Sequence, residues 1–366
     1  MSTVSMIYGK LNSLAPFATQ ESWDNSGLLA GDPGAEVTQA LVVLDITGDA
    51  VREAQELGAQ LIVSHHPVIF QPLKKLESGS VAWELARAGI SAISAHTNLD
   101  KARGGVNDCL AVALGLENVT VYGVEGREKH YKLTVFVPAD HADAVRRAMT
   151  EAGAGTIGGY TGCTFSVEGT GRFLPGEGTS PFLGEPGREE TAAEVRLETV
   201  VPARILDRVL DAMRRAHPYE TPAFDVVESV REGQEIAIGR IGNLPGALTP
   251  EAFARLVAER LGAGVRWNRG GRTVSRVAVL GGAGGDYLHE AAAAGADALV
   301  TGEAKHHEYL EAARLGLTLL DATHYATEQV VLRPLSEYLA ECCPDVRFTV
   351  GSGGDVLRFT GGGSRG

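Results

Sequence analysis

Two stretches decide the fold: Leu41–His66, LVVLDITGDAVREAQELGAQLIVSHH, and Val277–Glu303, VAVLGGAGGDYLHEAAAAGADALVTGE. Each reads as an apolar strand, a Gly- or Asp-containing turn, an amphipathic Ala-rich helix, a Gly-Ala turn and a second apolar strand. With one gap near the turn, Glu53-Ala54 aligns with Glu290-Ala291, Gly58-Ala59 with Gly295-Ala296, and Val63-Ser64 with Val300-Thr301. The likeness continues in register, WELARAGISAISAHTNLD (Trp83–Asp100) paralleling YLEAARLGLTLLDATHYATE (Tyr309–Glu328). Apolar strands alternating with helices predict a mainly parallel sheet with helices on its faces. The outer parts of the chain are therefore expected to form one duplicated, three-layer α/β domain.

A second repeat lies between those halves. LTVFVPADHADAVRRAMTEAGA (Leu133–Ala154) resembles LETVVPARILDRVLDAMRRAHP (Leu197–Pro218), each a strand ending in Val-Pro-Ala and then a helix. CTFSVEGTGRFLP lies between them and AFDVVES follows. That order predicts a split-βαβ, ferredoxin-like α+β module inserted at residues 126–233. The outer domain then comprises residues 1–125 and 234–360, and GGGSRG at 361–366 reads as a flexible tail. The Gly-rich segment Gly153–Gly187 lacks GxxxxGK[ST] and reads as turns and hairpin loops.

A length of 366 residues suits about two domains of roughly 150 residues. Hydrophobic residues at 44% and charged residues at 22% are ample for real cores. No apolar run approaches the roughly 18–20 residues needed to span a bilayer. No basic segment leads into an apolar one at the start, and the four cysteines (Cys109, Cys163, Cys342, Cys343) lack CxxC spacing. Both point to reduced thiols and a cytoplasmic location. The net charge is -13, from 46 acidic and 33 basic residues. That field repels phosphate backbones, so neither nucleic acid nor membrane is an expected partner; cations are compatible.

The chemistry is expected beyond the carboxyl ends of the parallel strands. After LIV come Ser64-His65-His66-Pro67; after ISAIS come Ala95-His96-Thr97-Asn98-Leu99-Asp100; after LTLLD come Ala322-Thr323-His324-Tyr325-Ala326-Thr327-Glu328. Adjacent extended residues point opposite ways, and Pro67 favours extension at His66. The doublet His65-His66 therefore suits two neighbouring ions better than one. His324 and Glu328, four apart on a helix, share a face. With Asp100 they make three imidazoles and two carboxylates. That set suits two divalent ions of Zn, Mn, Fe, Co or Ni better than Ca. A bridging carboxylate would hold such ions about 3.5–4 Å apart, as in two-metal hydrolytic sites. Glu303, His306 and His307 (TGEAKHHEY) are either supporting or acid/base groups, or a solvated helix start. His96 and Asp45 are candidates to orient ligands.

At these residues the chain resembles the Ngg-one-interacting-factor-three-like dinuclear metal-centre proteins, many of whose bacterial members are called GTP cyclohydrolase one type two homologues. The resemblance covers nearly the whole chain: Trp23-Asp24-Asn25-Ser26-Gly27-Leu28, SHHP at 64–67, HTNLD at 96–100, TGE..HH at 301–307 and HYATE at 324–328. It implies that His65, His66, Asp100, His324 and Glu328 ligate two ions, with Glu328 bridging. It also implies a toroidal homohexamer with its sites facing an internal cavity that takes a small-molecule ligand. The inserted module resembles PII-like and CutA-like trimer folds and ends in His217-Pro218-Tyr219-Glu220, read here as a structural turn or subunit contact. One departure is local: Asp321-Ala322-Thr323 precedes His324 where many members carry a glycine beside the histidine. Trp23, Asp24 and Asn25 either line the cavity or, for Trp23, pack.

Two functions follow as expectations. One is a metal-dependent hydrolase that opens or cleaves a nucleotide or phosphoester-like molecule through activated water, with Glu303 or His96 moving protons. The other is a non-catalytic metal- or metabolite-binding regulatory hexamer with the inserted module as sensor or assembly element.

Overall fold

In the computed structural model, which describes residues 1–357 except 232, 269 and 271, the strands Leu61–Ser64, Ser91–Ser94, Ala298–Thr301 and Thr318–Asp321 are buried along their whole length. Burial on both faces is why these strands read as continuous apolar runs rather than alternating ones. The tail expected at 361–366 and the last residues expected in the outer domain, 358–360, lie outside the described residues. The chain divides into two units, one formed by Met1–Glu125 with the chain from Ile236 onward, the other by Gly126–Glu235.

The class of the first unit is mixed α/β, but the single sheet expected from the repeats is in fact two. Gln39–Val43, Leu61–Ser64, Ser91–Ser94 and Arg347–Val350 pair in parallel, and Gly27–Ala30 caps one edge antiparallel to Ser91–Ser94. Val274–Leu280, Ala298–Thr301 and Thr318–Asp321 are parallel in the second sheet, with antiparallel Glu235–Leu248 and Arg266–Trp267 on either side. A reversed strand lies at one edge of the first parallel run and at both edges of the second, and the copies meet through helices. The helix Val106–Ala113 shows this, placing Val106 in the core of the first sheet and Leu110 and Ala111 in that of the second.

Each sheet is covered twice. Leu41, Ile62 and Ala92 face Val51, Ala54 and Leu85, whereas Val42, Val63 and Ile93 face Ile7, Leu11 and Leu335. In the second sheet Ala278, Leu299 and Leu319 face Ala291 and Ala312, and Val277, Val300 and Leu320 face Phe253 and Val257. The period-2 alternation of strand side chains thus serves two cores per sheet. The helix Pro250–Leu261 begins with Thr249 accepting from the Ala252 amide and with Pro250 in its first turn, where a missing amide costs nothing.

In the second unit four strands pair antiparallel in the order Thr164–Phe173, Glu190–Pro202, His130–Pro138, Phe224–Ser229. One face packs Leu133, Val135 and Leu197 against Val145, Met149, Val209 and Met213 from the helices Ala142–Glu151 and Leu206–Ala216. Phe165, Val167 and Val227 remain exposed.

Phe253 is fully buried, whereas Leu310 is 61% exposed. Phe253→Ala should lower unfolding free energy by about 3–5 kcal/mol, and Leu310→Ala by less than about 0.5 kcal/mol. Denaturant titration of the two variants checks the contrast.

Candidate metal centre

Parallel register delivers the site. Ser64 lies opposite Ser94 and Thr301 opposite Asp321, so the residues that follow each strand emerge at a common edge. His65 and His66 leave Leu61–Ser64, His96 precedes the short helix Thr97–Lys101 that carries Asp100, and His324 and Glu328 bound the short helix His324–Glu328.

The side chains converge. His65 Nε2 lies 3.6 Å from Asp100 Oδ1 and 3.6 Å from Glu328 Oε1. Glu328 Oε2 lies 3.0 Å from His66 Nε2 and 3.1 Å from His324 Nε2, and those two nitrogens are 3.2 Å apart. Two ligand groups result, His65–Asp100–Glu328 and His66–His324–Glu328, sharing one carboxylate; His96 joins His65 and His66 in a third. His65 and Glu328 are buried, and His65 Nε2, Asp100 Oδ1 and Glu328 Oε2 have no hydrogen-bond partner among the described residues. Buried polar atoms are rarely left so. Nitrogen and carboxylate donors aimed at shared points fit a borderline divalent cation.

The other face of every imidazole is engaged. Nδ1–H donates to Ala95 O from His65 (2.8 Å), to Asp45 from His66 (2.8 Å), to Asp24 from His96 (2.8 Å) and to Glu303 from His324 (2.9 Å). This fixes the tautomer and leaves each Nε2 for a cation. Glu303, a candidate acid/base group in the sequence, therefore orients His324. Asp24 also accepts from the Thr97 amide and hydroxyl, so it shapes the loop behind His96. Trp23 is exposed, its ring 6.1 Å from that of His96. His306 and His307 are exposed at the start of the helix His306–Leu315, and no ligand group among the described residues includes them.

Sequence reading missed the ligand-like placement of His96. The signal was there: His96 and Asp100 repeat the four-residue spacing of His324 and Glu328. It also missed Asn107 and Arg240. Buried Asn107 donates to Asp100 O (3.2 Å) and Ile238 O (2.8 Å) and accepts from the Gly281 amide (2.8 Å), tying the Asp100 turn to the loop beside Glu328. Arg240, also buried, pairs with Asp108 and donates to the carbonyls of Lys101 and Ala102. Packing is tight: a Cβ at Gly302 would stand 2.7 Å from His324 Cα, and one at Gly282 would stand 2.3 Å from Glu328 Oε1. A cavity of about 590 Å³ opens beside His324 and Glu303, with Lys305 and an Arg266–Asp321 ion pair on its walls.

The charges are coupled. Burial opposes protonation of His66 and His324, yet Asp45 and Glu328 push His66 up to about 10, and Glu328 and Glu303 push His324 up to about 9. Burial also works against the Glu328 carboxylate, but His65, His324 and His66 hold its pKa well below the usual range. Burial, reinforced by Glu328, raises Asp100. Without a cation, the carboxylates around His66 and His324 favour the protonated imidazoles, so metal binding would compete with protons there.

The departure at Thr323 has a structural counterpart. Its φ of 70° and ψ of 146° lie where glycine is at home and a β-branched residue is strained. The conformation is held because the Thr323 amide donates to Asp321 Oδ1 (3.1 Å) and Thr323 O accepts from the Thr327 amide (3.2 Å) and hydroxyl (3.0 Å). Thr323 Oγ1 caps His324–Glu328 through the Ala326 amide.

Comparison with known proteins places these features in context. Residues 2–352 match the profile of the family described as Duf34/NIF3 (NGG1p interacting factor 3). A GTP cyclohydrolase 1 type 2 homolog of Halalkalibacterium halodurans is 39% identical over 331 residues, 89% of each chain. One from Bacillus subtilis is 39% identical over 342 residues, 92% of this chain and 91% of that one. The crystal structure of a Bacillus cereus protein related to NIF3 superposes with a TM-score of 0.80 at 38% identity, covering 98% and 99%.

Two outcomes are expected. His66 and His324 titrate above the free imidazole value of about 6.5. Their protonation stabilises the metal-free fold fully below that pH and ceases to do so as pH rises through about 9 and about 10. Metal-free protein should therefore lose Tm between about pH 7 and 10, more steeply than a His66→Gln, His324→Gln variant; equal slopes would refute the coupling. Thr323→Gly relieves a strain of about 1–3 kcal/mol while losing a cap for which glycine costs only tenths. Its Tm should rise, whereas that of Thr323→Val should fall.

Proposed function

The chain belongs to the Duf34/NIF3 (NGG1p interacting factor 3) family, and on that premise we propose that it is a dinuclear metal-dependent hydrolase of a nucleotide or another phosphoester-like small molecule. The observation that carries this reading is the buried Glu328 carboxylate, one oxygen toward His65 and the other toward His66 and His324. His65, Asp100 and Glu328 would hold one ion, and His66, His324 and Glu328 the other. Such a pair supplies a water of lowered pKa and polarisation of the electrophile. Zn, Fe, Mn, Co and Ni all suit the donors.

The chain's own residues supply the rest. Asp24 and Glu303 hold His96 and His324 in one tautomer, with Nδ1–H engaged and Nε2 left as a lone-pair donor. We assign to His96, whose ring adjoins those of His65 and His66, the taking and returning of a proton, and Glu303 has its carboxylate on the cavity wall. A cavity of about 590 Å³ is roomy enough for a nucleotide-sized molecule. The nucleotide class leans on the name GTP cyclohydrolase 1 type 2 homolog borne by the relatives.

The proposal extends to assembly. The strand order of the second unit supports a ferredoxin-like module of the CutA and PII kind. Its exposed Phe165, Val167 and Val227 support a homohexamer built through that sheet face. The described cysteines are all free, which supports a cytoplasmic location. Among the described residues no helix is long and apolar enough to cross a membrane.

Metal analysis of protein purified without chelator should find about two ions per chain, and Asp100→Ala with Glu328→Ala should lose them. Metal-loaded protein should turn over GTP or a member of a phosphoester panel, and His65→Ala with His66→Ala should not. Full metal occupancy with no turnover above that variant would sink the hydrolase while leaving the centre.

A further inference from the structure

The second unit carries a cavity of about 350 Å³ that the metal centre does not use. It lies where the strand Thr164–Phe173 runs into the loop Leu174–Leu183 and meets the turn His217-Pro218-Tyr219-Glu220. That turn is rigid. Buried His217 donates from Nε2 to Phe136 O (2.9 Å) and accepts the Tyr219 amide at Nδ1 (3.0 Å), which fixes where the Tyr219 ring stands. Phe173 and Phe182 flank it, with ring centroids 5.9 and 6.2 Å away. Phe182 is 47% exposed, so apolar ring surface opens onto the cavity and solvent.

A carboxylate is fitted into this aromatic wall. Glu194 Oε1 accepts from the Tyr219 hydroxyl (2.9 Å), while Oε2 accepts no hydrogen bond among the described residues. The slot exists because Gly171 sits across the sheet: a Cβ there would stand 2.2 Å from Glu194 Oε2. Glycine within a strand weakens it and marks a close approach, and here the approaching group is the carboxylate. Glu220 lines the same cavity and accepts from the Ser180 amide (3.2 Å). Of the charged groups lining the cavity, Glu194 and Glu220 are acidic and Arg172 is basic.

We propose that this cavity binds a small organic cation, an ammonium or protonated nitrogen group on an aromatic or alkyl body. Ring faces attract cations through their quadrupole. A carboxylate already oriented by a tyrosine hydroxyl accepts N–H donors without reorganising. An aromatic lining with a few convergent polar groups, at this volume, is how small-molecule sites are built. The site is built from residues of the second unit alone, and the proposal does not depend on what the metal centre does.

The test is calorimetric titration of the full-length protein with benzylammonium, and with benzoate as a ring of opposite charge. Saturable binding of the cation, and none of benzoate, is expected. Glu194→Gln keeps an acceptor for Tyr219 and removes the charge; Phe182→Ala removes an exposed ring. Each should weaken binding by about tenfold, and His65→Ala with His66→Ala should leave it unchanged. Circular dichroism confirms that each variant is folded, and Phe182→Ala decides the matter should Glu194→Gln not fold. No binding, equal binding of benzoate, binding indifferent to a folded variant of either residue, or binding lost with the metal-site variant would each overturn the proposal.

Discussion

A carboxylate with no access to water must have its charge answered from within the protein, and Glu328 is 3% exposed. Three imidazoles answer it, two on one oxygen and one on the other. Each imidazole is held from behind by a carbonyl or carboxylate, and those groups sit on loops fixed by further hydrogen bonds. Without Glu328, His66 and His324 would have their Nε2 atoms 3.2 Å apart with no carboxylate charge beside them. The site is therefore a single electrostatic unit rather than a set of independent residues.

The scaffold makes that unit possible. Parallel strands bring chain segments distant in sequence to one edge, and duplication supplies the edge twice. Each copy contributes an imidazole four residues before a carboxylate, His96 with Asp100 and His324 with Glu328. Each of those imidazoles rests on a carboxylate, Asp24 in one half and Glu303 in the other. Asn107 then joins the halves by bonding the Asp100 carbonyl and the Gly281 amide. Thr323 accepts a strained backbone in the same cause, since its φ aims His324 inward while its hydroxyl and carbonyl cap the turn.

Part of this was legible in one dimension. The repeat Leu41–His66 with Val277–Glu303 carries the α/β class because buried strands and helices leave different periods in the sequence. Positions 65, 66, 100, 324 and 328 stand out because each follows an apolar run. What misled was the number of sheets. Gly27–Ala30 and Arg266–Trp267 are four and two residues long, and so short an edge strand leaves no pattern to read. The roles of Glu303 and His96 were also blurred. Spacing shows that such groups lie near a site, but not which nitrogen faces inward.

The sequence by itself determined the repeats, the strand ends and the kinds of donor placed there, since these depend on local order and periodicity. Only the tertiary structure decided that Glu328 is shared, that Glu303 and Asp24 hold imidazoles, and that Gly171 makes room for Glu194 beside Tyr219. Those facts depend on close approaches between residues such as Glu303 and His324, 21 positions apart, and His66 and His324, 258 apart, set by sheet register and burial rather than by neighbours along the chain.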